Sequence, residues 1–249
     1  MSKPTVGIFG LTGCAGDQLA IINCEDELLD LVNLLDIRDF VMAASEGDHT
    51  CQLDIAFVEG AVLSKHDEEY LKKIRARAKT LVAIGTCAVW GGVAAMDGGR
   101  GRDEMLNEVY GPAGARYDST PARALGEVVK VDLKISGCPI EKDQFLGAVA
   151  NLLNGDAPLL AGYAVCAECK MRENNCLLVE NHQVCCGPLT VAGCGARCPG
   201  LGIACVGCRG PAADANFPSA MEMFAAKGIT QDQITAKLKT FANATGGGQ

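Results

Sequence analysis

The residues best suited to chemistry lie in a short cysteine-rich stretch near the end of the sequence. Between residues 166 and 208 the cysteines follow the spacing C-x2-C-x6-C-x8-C and then C-x3-C-x6-C-x2-C, with one further cysteine beside the fourth. Four-cysteine sets bind iron-sulfur clusters or zinc. The Cys-Pro and Cys-Gly-Pro steps favour two clusters of the ferredoxin kind, and structural zinc is the alternative.

Three more cysteines, far apart in the sequence, each follow a short apolar run that ends near a glycine. Cys14, Cys87 and Cys138 stand within a few residues of the ends of three predicted strands. In a parallel sheet the carboxyl ends of the strands share one edge, where ligands bind. We therefore expect a third metal centre at this edge, holding an iron-sulfur cluster or zinc; three unrelated core cysteines are the alternative.

Alternating strand and helix patterns must position these three cysteines. Runs rich in β-branched residues predict strands, and amphipathic patterns that separate them predict helices. This alternation predicts an α/β fold with a doubly wound parallel sheet. The predicted strands are 5–10, 53–60, 80–86 and 131–137, with a weaker one at 38–44, and the predicted helices are 17–35, 64–79 and 141–155.

The regular pattern stops near residue 158, which suggests three parts in the chain. Residues 1–158 are predicted to form the α/β domain, and residues 159–212 a small Cys-rich domain. This second segment has little apolar material for a core, so metal centres would supply stability. Residues 213–249 are predicted to form a helical tail, with helices at 217–229 and 230–244 and a frayed end at 245–249.

Composition limits the classes of function. The 249 residues carry a formal net charge of -8, and the basic run at 72–79 has the spacing of a solvated helix face, so nucleic acid is not an expected partner. No apolar run is long enough to predict a membrane span, and no export signal is visible at the start. We expect a cytoplasmic protein, whose 14 cysteines serve as metal ligands rather than disulfides.

Three segments together resemble a known family. GTCAVWGG (85–92), SGCPIEKDQFLGAV (136–149) and the Cys-rich tail resemble the small, electron-transferring subunit of nickel-iron hydrogenases. The similarity runs from about residue 5 to 212. It is greatest to the cytoplasmic, multisubunit branch typified by the sulfhydrogenase delta subunit, which lacks an export signal.

The resemblance implies a flavodoxin-like domain with a proximal 4Fe-4S cluster and a tail domain with a medial and a distal 4Fe-4S cluster. Hydrogen would be split at a nickel-iron site in a large partner subunit, and this chain would pass the electrons on without being catalytic alone. The acceptor would be a flavoprotein that reduces NAD(P) or a ferredoxin-like subunit. The implied ligands are Cys14, Asp17, Cys87 and Cys138 (proximal), Cys194, Cys198, Cys205 and Cys208 (medial), and Cys166, Cys169, Cys176 and Cys185 (distal).

Two residues depart from the pattern of the family. Gly13 replaces a glutamate that many exported relatives have there, and Asp17 stands where the second cysteine of a C-x-x-C pair is expected. Asp17 is predicted to bind the fourth iron; its alternative is a helix cap or first-turn acid. A direct role for Glu59 is less favoured than a loop hydrogen-bond acceptor. The remaining cysteines, Cys24, Cys51 and Cys186, are predicted not to be ligands.

Two other functions stay open at this point. A paralogous subunit could serve a redox complex that does not use hydrogen, such as the quinone-reducing respiratory enzyme, although its 20 kDa subunit resembles only the N-terminal domain. A hydrogen-sensing or zinc-stabilised interaction subunit would have no turnover at all.

Overall fold

The fold is that of a computed structural model, which describes residues 3–96 and 100–241. The predicted frayed end at 245–249 and the last residues of the predicted helix 230–244 lie outside this part. The chain forms two compact units, Met1–Lys142 and Asp143–Gln249.

A five-stranded parallel sheet forms the centre of the first unit. Its strands stand in the order β2-β1-β3-β4-β5, the order of flavodoxin-like folds. Residues such as Val58, Leu81 and Ile84 are fully buried in the central strands, as expected when helices cover a parallel sheet. The predicted α/β fold class is thus confirmed. The strands are β1 (Thr5–Gly10), β2 (Asp36–Asp39), β3 (Leu53–Glu59), β4 (Ala78–Ile84) and β5 (Leu133–Ile135).

The helices of the first unit follow the strands closely. Ser64 caps the helix Lys65–Arg77, because the side-chain oxygen of Ser64 accepts the Asp67 N–H at 3.0 Å. Leu71 and Ile74 form the buried face of this helix. Three short 3-10 helices lie at Gly92–Ala95, Gly111–Arg116 and Leu125–Glu127. The α-helices are α1 (Gly16–Ile22), α2 (Glu25–Leu34), α3 (Lys65–Arg77), α4 (Gly85–Trp90) and α5 (Arg102–Tyr110).

Three predicted boundaries were wrong in detail. The single helix predicted at 17–35 is broken at residues 23–24, where Asn23 ends α1 and Glu25 adopts a φ of 20°. The strand predicted at 38–44 ends at Asp39 and continues as a turn. The strand predicted at 80–86 ends at Ile84, because Gly85 takes a φ of +83° and starts α4.

The basic run at 72–79 binds acids and carbonyls of its own chain. Arg75 Nη1 lies 2.5 Å from a carboxylate oxygen of Asp132, and Lys79 Nζ lies 2.6 Å from one of Asp54. Arg77 donates to the carbonyl oxygen of Cys51 at 3.0 Å. Arg75, Arg77 and Lys79 are therefore paired with groups of the same chain.

The second unit has its own small apolar core, which sequence patterns did not predict. Leu178 and Leu189 of the Cys-rich segment pack with Phe224 and Ile234 of the C-terminal helices and with Ile229 between these helices. The C-terminal helices therefore supply the apolar side chains that the Cys-rich segment lacks. The later helices are α6 (Lys142–Leu153), α7 (Val165–Met171), α8 (Arg197–Gly200), α9 (Phe217–Ala226) and α10 (Gln231–Leu238). Every helix in the described part is too short or too polar to cross a lipid bilayer.

Candidate metal centres

The sheet register brings the carboxyl ends of four strands to one edge. Gly10 pairs with Glu59, Glu59 with Ile84, and Ile84 with Ile135, so β1, β3, β4 and β5 end at one level. The three predicted ligand cysteines of the first unit follow the ends of β1, β4 and β5 by three or four residues. They are Cys14, Cys87 and Cys138.

Electrostatic interactions show that these cysteines are neighbours. Burial raises the pKa of the Cys87 thiol, and the negative charges of Asp17 and Cys14 raise it further. Burial raises the pKa of Cys138 to about 11, with the two other thiols and the aspartate adding to the shift. Four acidic groups in one half-buried place repel each other when ionised, and a bound cation offsets this cost. The donor set therefore fits a metal centre.

Asp17 belongs to this set and is held by a contact from a distant part of the sequence. Its Oδ1 accepts the Ile140 N–H at 2.8 Å, and its side chain is buried. Burial raises the pKa of Asp17 to about 6, against the lowering effect of the Ile140 hydrogen bond, and the Glu59 carboxylate adds to the rise. The carboxylate thus fixes the loop that follows Cys138.

Asp17 is a first-turn acid of α1, as its alternative role predicted, whereas the capping contacts are made by Glu59. One oxygen of its buried carboxylate accepts the main-chain N–H groups of Asp17 at 3.1 Å and Gln18 at 3.0 Å. Its other oxygen accepts from Gln18 Nε2 at 3.0 Å. These N–H groups at the start of α1 have no partner within the helix. Glu59 is thus a hydrogen-bond acceptor that positions the segment from Cys14 to Gln18, as predicted.

Two glycines let the chain approach the candidate ligands closely. A Cβ on Gly85 would lie 1.8 Å from Asp17 Oδ2, and one on Gly92 would lie 2.6 Å from Cys87 Sγ. Both residues have a positive φ, which glycine adopts at little cost. Sequence reasoning did not assign them a role, although the motif GTCAVWGG begins with one and ends with the other.

The distal ligand set also comes together in the second unit. Cys166 and Cys169 lie three residues apart on α7, on neighbouring positions of one helix face. Burial raises the pKa of Cys166 to about 11, and the three other thiols of the set add to the rise. Asn174 Nδ2 lies 3.7 Å from Cys169 Sγ. The predicted set Cys166, Cys169, Cys176 and Cys185 is therefore a group of neighbours.

Cys185 and Cys186 differ clearly in their surroundings. A Cβ on Gly187 would lie 3.4 Å from Cys166 Sγ and 3.5 Å from Cys185 Sγ, which places these sulfurs together. Cys185 Sγ also accepts the Cys205 N–H at 3.3 Å. Cys186 is fully buried, and burial raises its pKa to about 12. These contacts favour Cys185 over Cys186, and the choice of ligand stays a prediction.

The contacts of the described residues do not bring the four cysteines of the predicted medial set together. Cys194 and Cys198 flank a loop that Glu168 organises, since its carboxylate accepts the Gly193 N–H at 2.8 Å and the Ala196 N–H at 3.2 Å. Cys205 is buried, and the charges that act on its thiol are those of the thiols of residues 185 and 186. The grouping of Cys194, Cys198, Cys205 and Cys208 stays a prediction.

Two of the remaining cysteines contact their own segments. Cys24 Sγ lies 3.5 Å from the carbonyl oxygen of Ala20, and Cys51 Sγ lies 3.4 Å from that of Asp48. Within residues 3–96 and 100–241, no three His, Cys, Asp or Glu side chains converge on a point suited to one metal ion. A four-iron cluster takes one thiolate per iron, so its ligands need not converge on one atom.

A family model matches the region that carries the first of these sets. Residues 14–152 match the family described as the NADH ubiquinone oxidoreductase, 20 Kd subunit. The chain is also 37% identical over 238 residues to the sulfhydrogenase 2 subunit delta of Pyrococcus furiosus, an alignment that covers 95% of this chain and 98% of that relative. The chain belongs to this family, as a subunit of the hydrogenase small-subunit type.

A second relative supports the same conclusion, and a solved structure shares the fold. The chain is 30% identical to one component of the F420-non-reducing hydrogenase of Methanocaldococcus jannaschii, with 82% of this chain and 81% of the relative covered. A structure of the actinobacterial-type NiFe-hydrogenase from Ralstonia eutropha H16 has the same fold, with a TM-score of 0.64 at 19% identity. It covers 90% of this chain and 85% of that one. The chain is thus a component of an oxidoreductase complex.

Proposed function

We propose that the chain is the iron-sulfur electron-transfer subunit of a cytoplasmic nickel-iron hydrogenase complex. It would hold three 4Fe-4S clusters: a proximal one in the first unit, and a medial and a distal one in the second. When bound, the clusters would supply one-electron carriers. The protein contributes their spacing, their surroundings and their shielding from water.

The observation that carries this proposal is the convergence of ligands at the sheet edge. Cys14, Cys87 and Cys138 come from segments that are 51 or more residues apart, yet the charges of Cys14 and Cys87 act on the Cys138 thiol, and that of Cys14 acts on the Cys87 thiol. A structural zinc knuckle gathers its ligands in close pairs, whereas this set is assembled by the fold itself. The second four-cysteine group around α7 supports a chain of centres rather than a single one.

Asp17 is proposed as the fourth proximal ligand, through Oδ2. Oδ1 is engaged by the Ile140 N–H, while Oδ2 lies against the Cα of Gly85. A carboxylate fixed in this way is already oriented when the metal centre forms. Because carboxylate oxygen is a harder ligand than thiolate, the substitution is expected to alter the reduction potential of this one centre.

The proposed partners are a large subunit with a nickel-iron site and an electron acceptor subunit. The relatives from Pyrococcus furiosus and Methanocaldococcus jannaschii are both hydrogenase subunits, which supports the first. The second is proposed as a flavoprotein that reduces NAD(P) or a ferredoxin-like subunit.

Purification of the complex from its native source tests both halves of the proposal. We expect a nickel-containing large subunit to co-purify, and hydrogen to bleach the iron-sulfur absorbance of the complex until an oxidised acceptor restores it. A large partner without nickel would favour the paralogous subunit of a non-hydrogenase complex. A nickel partner that consumes hydrogen without any bleaching would contradict electron transfer through this chain.

A further inference from the structure

An open cleft of about 610 Å³ lies in the second unit, beside α10. One wall consists of residues 182–184, immediately before Cys185, and includes Ala204, immediately before Cys205. The cleft is also lined by residues of the C-terminal helical region, among them Ile229, Gln233 and Lys237. A volume of this size is sufficient to hold several side chains of a partner.

Hydrogen bonds connect the segments that line the cleft to Cys185, the proposed ligand. The Cys205 N–H donates to Cys185 Sγ at 3.3 Å, and the Cys186 N–H donates to the carbonyl oxygen of Cys205 at 2.9 Å. The two cleft residues next to these cysteines, Val184 and Ala204, therefore belong to the segments that carry the proposed ligand. Along the chain, the cleft wall is one residue away from the distal set.

The charge of the cleft is opposite to that of the molecule. The whole chain has 30 acidic against 22 basic residues, yet the described residues that line the cleft include His182 and Lys237 and no acid. His182 has a φ of 56°, a conformation that is uncommon outside glycine and occurs more often at functional sites.

We propose that this cleft docks an acidic surface segment of the protein that accepts electrons from the chain. The carboxylates of the segment would pair with Lys237 and His182, and its apolar atoms would cover Val184, Ala204 and Ile229. Opposite charge steers association and fixes orientation more than it adds affinity. The inference deepens the proposed function and rests on it, since it takes the distal set as the point where electrons leave.

The test compares two small electron acceptors of opposite charge. The native complex, after its acceptor subunit has been released with sodium chloride and the salt removed, is reduced with dithionite and mixed in a stopped-flow instrument with ferricyanide, an anion, or with hexaammineruthenium(III), a cation. At low salt, Lys237→Glu should slow reoxidation by ferricyanide about five-fold and leave reoxidation by the ruthenium complex unchanged or faster. Lys237→Gln, a milder change, should show a smaller effect in the same direction.

Lys239→Glu is the matched control, because Lys239 lies next to α10 but does not line the cleft. In a second measurement the complex is passed over a sizing column at increasing sodium chloride concentrations. The acceptor subunit should be released at lower salt from the Lys237→Glu complex than from the wild-type or Lys239→Glu complex.

Three outcomes would overturn the docking proposal. Equal effects of Lys237→Glu and Lys239→Glu would show a general charge effect. If Lys237→Glu slows the reaction with ferricyanide but leaves the release of the acceptor subunit unchanged, the cleft is a site for small anions only. No effect in either measurement would exclude a role for the cleft. If dithionite causes no bleaching, the proposed electron-transfer function fails. The salt concentration at which the acceptor subunit is released still tests whether the cleft is its docking site.

Discussion

Asp17 shows how one residue can be located by the sequence and explained only by the structure. Its distance from Cys14 in the sequence predicted a ligand, and its place at the start of a helix allowed a cap. The structure gives the capping role to Glu59 and directs the Asp17 carboxylate to the Ile140 N–H. This partner is 123 residues away in sequence, so no local pattern could reveal it.

Substitution of Asp17 tests its proposed role as a ligand. Asp17→Cys should change the EPR signal and shift the reduction potential of one cluster only, because thiolate is a softer ligand than carboxylate. Asp17→Asn keeps an oxygen to accept the Ile140 N–H but removes the negative charge, and it should shift the same signal. Asp26→Cys, in the first turn of α2, is the matched control. If the EPR spectra of Asp17→Cys are identical to those of the wild type, Asp17 is not a ligand and only positions the loop that contains Ile140.

Gly85 should be equally sensitive to substitution. In Gly85→Ala the new Cβ would fall 1.8 Å from Asp17 Oδ2, at a residue whose φ is +83°. We expect a loss of about 2 kcal/mol in the free energy of unfolding, together with partial loss of iron. Gly147→Ala, whose new Cβ meets nothing within 4 Å, should be neutral or stabilising. Equal unfolding midpoints for both variants in urea would contradict this account of the sheet edge.

At the scale of elements, the sequence predicted those parts of the fold whose pattern is local and periodic. β1, β3 and α3 lie close to their predicted positions, because buried β-branched runs and an amphipathic helix with a serine cap are distinctive. The region of α5 and the short helices α7 and α8 were not predicted. α5 has no buried residue among those described, so it lacks the apolar stripe by which helices are predicted.

The C-terminal helices were predicted as elements, but not as part of a core. Apolar residues of α9 and α10 pack against Leu178 and Leu189, two positions inside the Cys-rich segment. These contacts join residues that are far apart in the sequence and carry no repeating spacing. The sequence pattern of these helices therefore predicts only a C-terminal tail. Their packing against the Cys-rich segment shows that they support the candidate metal sites of the second unit.

Phe224 provides the test of this support. Its side chain is fully buried in the small core of the second unit, so Phe224→Ala should cost about 3–5 kcal/mol of stability. Because this core also contacts Cys185, the variant should lose iron from the second unit while the proximal EPR signal is kept. Glu222→Ala, an exposed change on the same helix, serves as control. A variant with full iron content and wild-type unfolding would show that the helices do not support the Cys-rich segment.

Over the whole molecule, the family model and the alignment with the sulfhydrogenase subunit cover different parts of the chain. The family model covers residues 14–152 and so contains the first ligand set but none of the cysteines from 166 to 208. The similarity to the delta subunit of the sulfhydrogenase covers 95% of the chain and includes them. The Cys-rich segment therefore lies outside the family model but inside the alignment with this relative.

The central claim is that this single chain holds three four-iron clusters. It is tested most directly by iron, acid-labile sulfide and zinc analysis of the anaerobically purified chain, combined with EPR of the reduced protein. We expect about twelve iron and twelve sulfide per chain, no stoichiometric zinc, and signals from interacting 4Fe-4S centres. Two zinc ions per chain without reducible centres would contradict it.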